Sequence, residues 1–380
     1  MIKYRTFAAA FVLAASACAG GPVDAPPQPK PAACATEGAL FDLMAMRDAV
    51  KESMVYPFGG GASADEVFAA LKDQAAAAQT DADHLRVLEA FVYAMGDHHS
   101  HLSTNDGLSP RLVPTGASVW VEGRNGRLVV TEVRPVGSGL AIRKQGLREG
   151  MVIEKIDGVP VAQALKPPPS TADKADAMLG FAGRVALAGT RKHEPTITVR
   201  GGDGREIEIK ILAATNEHDE LAKLSFPVPE VAVIRLENSI GDSDLNPVFD
   251  GLMKQAKNAK AVIFDLRDTP SGGNTDVAKP LMAWFVDGTR GYQTHENAAT
   301  RWTEQVTGRR DRFTGKVIVL VDHWTGSMGE GTAIGLRAAA DAQIVGTQMA
   351  GLRGAIEGFD VPCLGVGFRF PIERLYEVSG

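Results

Sequence analysis

Ser327 is the residue of this sequence best placed to act as a nucleophile. The five residues before its turn, 317–321, are all apolar, the length and composition of a fully buried strand. Asp322-His323-Trp324-Thr325-Gly326 forms the turn, and Met328, Ala333, Ile334 and Leu336 then recur with helical spacing. A serine at such a strand–turn–helix junction has the amides of a helix N-terminus behind it, and these could stabilise the oxyanion of an acyl transfer. Ser327-Met328-Gly329-Glu330 is also S-x-x-E, a capping box, and taken alone it more commonly just starts a helix. Two further clusters carry chemistry. Arg267-Asp268-Thr269-Pro270-Ser271-Gly272-Gly273-Asn274 is a glycine-rich turn in which Gly272 and Gly273 would let main-chain amides approach a ligand. Asp97-His98-His99-Ser100-His101 gathers three of the eight histidines of the chain.

A zinc site is the competing chemistry for the histidine cluster, since Asp97, His98, His99 and His101 are ligand types. An H-x-H run without HExxH or a second cluster does not build one, so no metal and no cofactor is expected.

The elements that must hold these clusters change period along the chain. Helical apolar spacing predicts helices over 41–56, 64–78 and 83–95, an N-terminal helical domain spanning 37–105. From about residue 112 the period becomes two, in VWVEG, RLVVTEV, PTITVRGG and REIEIKI, with a helical run over 171–187. Beyond 228 strands alternate with helices: strands 231–236, 261–266, 317–321 and 343–345, and helices 244–258, 275–286 and 329–340, with a hairpin over 361–370. This predicts a crossover α/β core over 228–380.

Gly146-Leu147-Arg148-Glu149-Gly150-Met151-Val152-Ile153-Glu154-Lys155-Ile156-Asp157-Gly158 resembles the GL-x-x-GD-x-I-x-x-IDG signature of a PDZ domain, with Met151 where the family usually has Asp. The resemblance implies a PDZ domain over 112–213, a module that binds extended chain ends by strand addition; a barrel that merely braces its neighbours is the alternative. The order D-H-H-S-H, PDZ signature, DLRDTPSGGN, TGSMGEG resembles that of the C-terminal processing (tail-specific) serine peptidases and the related tricorn core proteases. It covers roughly residues 37–380, and implies a ClpP/crotonase-like core.

By that resemblance Ser327 is the nucleophile, and the N–H groups of Met328 and of Gly272 or Gly273 form the oxyanion hole. Many members take their base from a lysine in a T-x-G-K-G segment after the nucleophile. The corresponding run here is 346–354, and no lysine follows Lys316. Arg353 cannot serve, because a guanidinium stays protonated. The chain is thus closer to the tricorn-like branch, with a histidine base: His99 in the D-x-H-S register, then His101, and more weakly His323, otherwise a histidine on the turn surface. Glu373 or Glu377 is the candidate orienting acid unless that element is absent, and Glu330 caps its helix or braces the turn. The rival reading is a non-catalytic protein on the same fold that binds a peptide or an apolar ligand, as retinoid-binding members do.

Composition is that of a globular protein, 44% hydrophobic and 23% charged, and a net charge of −6 gives no reason to expect nucleic acid as partner. Lys3 and Arg5, the apolar run 7–15 and Ala15-Ser16-Ala17 read as a signal peptide over 1–17. Cys18 follows, so the chain is expected to be exported to a bacterial periplasm, either lipid-anchored through Cys18 as an outer-membrane lipoprotein or simply cleaved after Ala17. Residues 18–36, rich in proline, read as a tether. Cys34 and Cys363 remain as a disulfide pair or as two lone thiols. Substrate and oligomeric state are not legible.

Overall fold

The computed structural model describes residues 31–103, 106–214 and 219–378. The expected signal peptide and Cys18 lie outside the described residues. Three helices come first, α1 (Cys34–Ser53), α2 (Ala64–Ala77) and α3 (Asp81–Ala94). α1 starts within the expected tether, at the cysteine that bonds Cys363. α2 and α3 open on capping boxes. Ser63 Oγ accepts from Glu66 N while the Glu66 carboxylate accepts from Ser63 N, and Thr80 and Asp83 repeat the arrangement. Asp83 is therefore the third residue of its helix rather than the first.

β1 (His101–Leu102) leads into an antiparallel module. Its strands are β2 (Val119–Arg124), β3 (Arg127–Val133), β4 (Val152–Ile156), β5 (Val159–Pro160), β6 (Thr196–Arg200) and β7 (Glu206–Lys210), ordered β2-β3-β4-β6-β7 with β5 on β4. Helices α4 (Ser138–Lys144), α5 (Val161–Ala164) and α6 (Ala175–Ala188) accompany them. The apolar members of the two-residue period, among them Val121, Leu128, Val130, Ile153, Ile197 and Val199, fill one core.

The remaining chain builds β8 (Ala222–Val228), β9 (Val231–Leu236), α7 (Leu245–Ala256), β10 (Ala261–Asp265), α8 (Thr275–Ala283), β11 (Thr289–Glu296), β12 (Arg301–Thr307), β13 (Lys316–Val321), α9 (Met328–Ala340), β14 (Gln343–Gly346), β15 (Ala355–Asp360) and β16 (Gly367–Tyr376). β14-β13-β10-β9 is parallel, with β8 antiparallel at its edge. Asp265 stands in register with both Leu320 and Arg235, so the glycine-rich turn and the Ser327 turn leave the sheet at the same carboxyl end. That is where open α/β sheets place their ligands.

The expected hairpin over 361–370 is shifted: its strands are β15 and β16, and 361–366 is the turn. The β11–β12 hairpin was not anticipated, because Gln293, Thr294 and His295 are all buried and hide the apolar alternation. β16 pairs with β15, β11 and β1, and its Phe368 and Phe370 bury among the N-terminal helices. The last strand thus ties the first helices to the α/β core.

Cys34 and Cys363 form a disulfide that closes this tie at the hairpin turn. Beside it the buried Asp42 accepts from Cys363 N and Leu364 N, both at 2.8 Å, and faces His84. The bond spans 329 residues, so its loss should free a large loop in the unfolded chain. Replacing both cysteines by serine is expected to cost about 2–5 kcal/mol. A denaturant melt checks it; an unchanged midpoint would mean the bond constrains nothing.

Candidate active site

Ser327 caps α9 with φ 50° and ψ −116°, a conformation rarely adopted outside glycine. Five hydrogen bonds hold this elbow. Asp322 N–H donates to Thr325 Oγ1 (3.0 Å) and Thr325 Oγ1 donates to Leu266 O (3.0 Å), locking the turn onto the end of β10. Asp322 Oδ1 accepts from Trp324 N (2.9 Å) and from Asp268 N (3.2 Å), joining the nucleophile turn to the glycine-rich turn. Glu330 Oε2 accepts from Ser327 N (2.9 Å), the return bond of the expected capping box, and the serine hydroxyl is left to donate to another partner.

That partner is His99. Its Nε2 lies 3.1 Å from Ser327 Oγ, and its Nδ1 lies 3.1 Å from Arg353 O. A carbonyl only accepts, so Nδ1 carries the proton and Nε2 presents a lone pair to the serine hydroxyl. Burial lowers the pKa of His99 below the usual imidazole range, opposed by the Arg353 carbonyl and by Asp97. The imidazole is therefore neutral, as a proton acceptor must be. Asp97 shapes the same segment from its backbone side, accepting from His99 N (3.2 Å), Ser100 N (3.0 Å) and Ser100 Oγ (2.7 Å).

The other candidates are placed elsewhere. His101 is near, but its Nδ1 is bonded to the carbonyl of His99 (2.9 Å) rather than to Ser327. His323 is not on the surface of its turn. It is buried, stacked on Trp120 with ring centroids 4.9 Å apart, and burial pushes its pKa down to about 4. Glu373 is bonded to His295 and Glu377 to Arg337, so neither reaches His99. The acceptor behind His99 is a main-chain carbonyl, which no side-chain pattern can announce.

Gly272 and Met328 lie against the serine. A Cβ on Gly272 would sit 2.6 Å from Ser327 Cβ and 3.1 Å from Met328 N, and φ is +66°, so glycine is required twice over. Its own N–H turns toward Thr269 O at 3.4 Å. A Cβ on Gly273 would collide with Ile240 at 2.4 Å. Met328 opens α9, so its amide has no acceptor within the helix.

Two features of the site had no sequence signal. Glu330 also accepts from Gly351 N (3.0 Å) and Leu352 N (2.9 Å), the residues just before the carbonyl that holds His99. One carboxylate thereby holds both Ser327 and the loop behind His99. Among the described residues no cation pairs with it, and burial raises its pKa to about 7 against the pull of the three amides. The second feature is Arg134 at the end of β3, 1% exposed, whose Nε and Nη2 both lie 2.5 Å from Asp268 Oδ1. This ion pair anchors the glycine-rich turn to the antiparallel module. Among the described residues no cluster of His, Cys, Asp and Glu could hold a metal ion.

Comparison with known proteins bears on the fold and on the family. The comparison with curated proteins gives no match. The structure of the photosystem II D1 C-terminal processing protease is similar, with a TM-score of 0.56 at 16% identity, covering 90% of this chain and 89% of that one. Mature CPAF gives a TM-score of 0.61 at 14% identity, covering 91% and 90%. At such identities these likenesses speak for the fold. The sequence model described as peptidase family S41 matches residues 230–380, the stretch that carries both the glycine-rich turn and Ser327. Residues 230–380 are thus a domain of peptidase family S41, and with it the chain takes its place among the serine-type peptidases.

Proposed function

We propose that this chain is an exported serine peptidase in which Ser327 is the nucleophile, His99 the base, and the amides of Met328 and of Gly272 or Gly273 the oxyanion hole. The observation that carries the reading is the line Ser327 Oγ–His99 Nε2–His99 Nδ1–Arg353 O. Ser327 Oγ attacks the scissile carbonyl carbon as His99 Nε2 takes its proton, and the N–H donors receive the charge on the carbonyl oxygen. The imidazolium returns the proton to the leaving amine. Water then repeats the sequence on the ester. The Arg353 carbonyl fixes tautomer and ring orientation, the positional share of what a triad acid does. It brings no full negative charge to the imidazolium. In this the site departs from an acid-completed triad, while the histidine base keeps the tricorn-like assignment. Gly273 is the better second donor, since the Gly272 amide is turned to Thr269.

Fluorophosphonate labelling tests the reading, because it needs an activated serine and ignores substrate identity. A labelled peptide containing Ser327 is expected. No labelling of folded protein would turn the assignment toward a non-catalytic binding protein, the reading that a base without an acid partner favours.

Export is supported by the N-terminal sequence and by the Cys34–Cys363 disulfide, a bond that persists in oxidising compartments. Among the described residues no helix is long and apolar enough to cross a membrane. Mass spectrometry of the mature protein is expected to find Cys18 as a lipidated N-terminus, the anchored form of a periplasmic lipoprotein. Unmodified Cys18 behind a processed end would remove the anchor, and an intact Met1 would remove export.

A further inference from the structure

The 112–213 module, read as a PDZ domain, should offer a sheet edge to an extended peptide. β2 ends its sheet, and α6 runs along it. An added strand needs about 4.7–4.9 Å of lateral room and free main-chain groups. Neither is present. The helix and strand meet backbone to backbone through glycines: a Cβ on Gly123 would lie 2.1 Å from Asp176 O, and a Cβ on Gly180 2.9 Å from Gly123 N. Arg184 of α6 donates Nη1 to Val121 O at 2.9 Å, taking a carbonyl of β2. At the β2–β3 turn the Asp176 carboxylate accepts from Asn125 N (2.7 Å) and Gly126 N (2.8 Å).

The same helix face reaches the catalytic segment. Arg184 Nε donates to His98 Nε2 at 3.0 Å, and Phe181 stacks on the His98 ring with centroids 4.3 Å apart. The Arg184 guanidinium also lies 4.9 Å over Trp120, which itself stacks on His323 of the nucleophile turn. α6 holds His98 by its Nε2 and its ring face, and the next residue is His99.

We propose that α6 seals the β2 edge, so that this peptidase does not select substrates by a free C-terminal carboxylate bound there, and that Arg184 and Phe181 act instead as positioning residues for His99 through His98. The proposal rests on the serine-peptidase reading, and labelling of the wild type by fluorophosphonate checks that reading separately. Two measurements on the full mature chain decide the rest. An internally quenched peptide ending in Ala-Leu, offered as free acid and as amide, is expected to be cleaved with kcat/KM values within about twofold of each other. A preference of tenfold or more for the acid overturns the sealed edge. Arg184→Met is expected to lower kcat and the labelling rate at least tenfold while KM stays within twofold. Unchanged kcat in folded Arg184→Met overturns the positioning role. Should that variant not fold, His98→Gln, which keeps an acceptor for Arg184, is expected to retain several-fold more activity than His98→Ala; equal activities overturn the role. A wild type that takes no label removes the peptidase reading and the positioning role together.

Discussion

Ser327→Ala is expected to abolish fluorophosphonate labelling and to lower peptide turnover by about 10⁴–10⁶-fold, the range seen when members of a nucleophile–base unit are removed. The fold should survive, because the elbow is held by Thr325, Asp322 and Glu330 through backbone contacts and not by the serine hydroxyl. His99→Ala should lose a comparable factor, and the double substitution little more, since the two act on one proton. His101→Ala should stay within about threefold of wild type: its ring touches the base's carbonyl, not Ser327. Turnover retained in Ser327→Ala would end the assignment. A large loss in His101→Ala with His99→Ala near normal would move the base.

Glu330→Gln carries the second large effect. The substitution keeps size and shape but gives one oxygen and one amide in place of two acceptors. Ser327 N and Leu352 N share Oε2 and Gly351 N uses Oε1, so one backbone N–H must then face an NH₂. Leaving such a buried donor unmatched costs about 1–3 kcal/mol. If it falls on the catalytic arrangement, kcat drops by about 5- to 150-fold. The pH profile separates this from general loosening. Burial raises the Glu330 pKa to about 7, so the carboxylate that holds the elbow and the Arg353 loop is lost as pH falls through that value. The same cause acts oppositely on His99, keeping it neutral below the usual imidazole range. Wild-type kcat/KM is therefore expected to fall in two stages on acidification, Glu330 first and His99 lower. Glu330→Gln should lose the upper stage and keep the lower. An upper limb that persists in the variant would assign it to another group.

The sequence by itself determined the parallel strands and the helices of the core, the Ser327 elbow and the glycines beside it. These are local matters: an apolar run, a cap and a backbone conformation are each written in a few adjacent residues. It also left histidine as the candidate base, since no lysine follows Lys316. What the tertiary structure decided is which histidine stands beside Ser327, and what stands behind it. His99 reaches Ser327 across 228 residues because β16 binds both β1 and β15, and that pairing joins the two ends of the chain. The acceptor for His99 is a main-chain carbonyl, which every residue type supplies, so only position can select it. The polar run 293–295 concealed β11 for the related reason that its burial is imposed by neighbours distant in sequence. Arg134 and Arg184 carry no mark in the sequence, and only the packed partners Asp268, His98 and Trp120 account for where they sit.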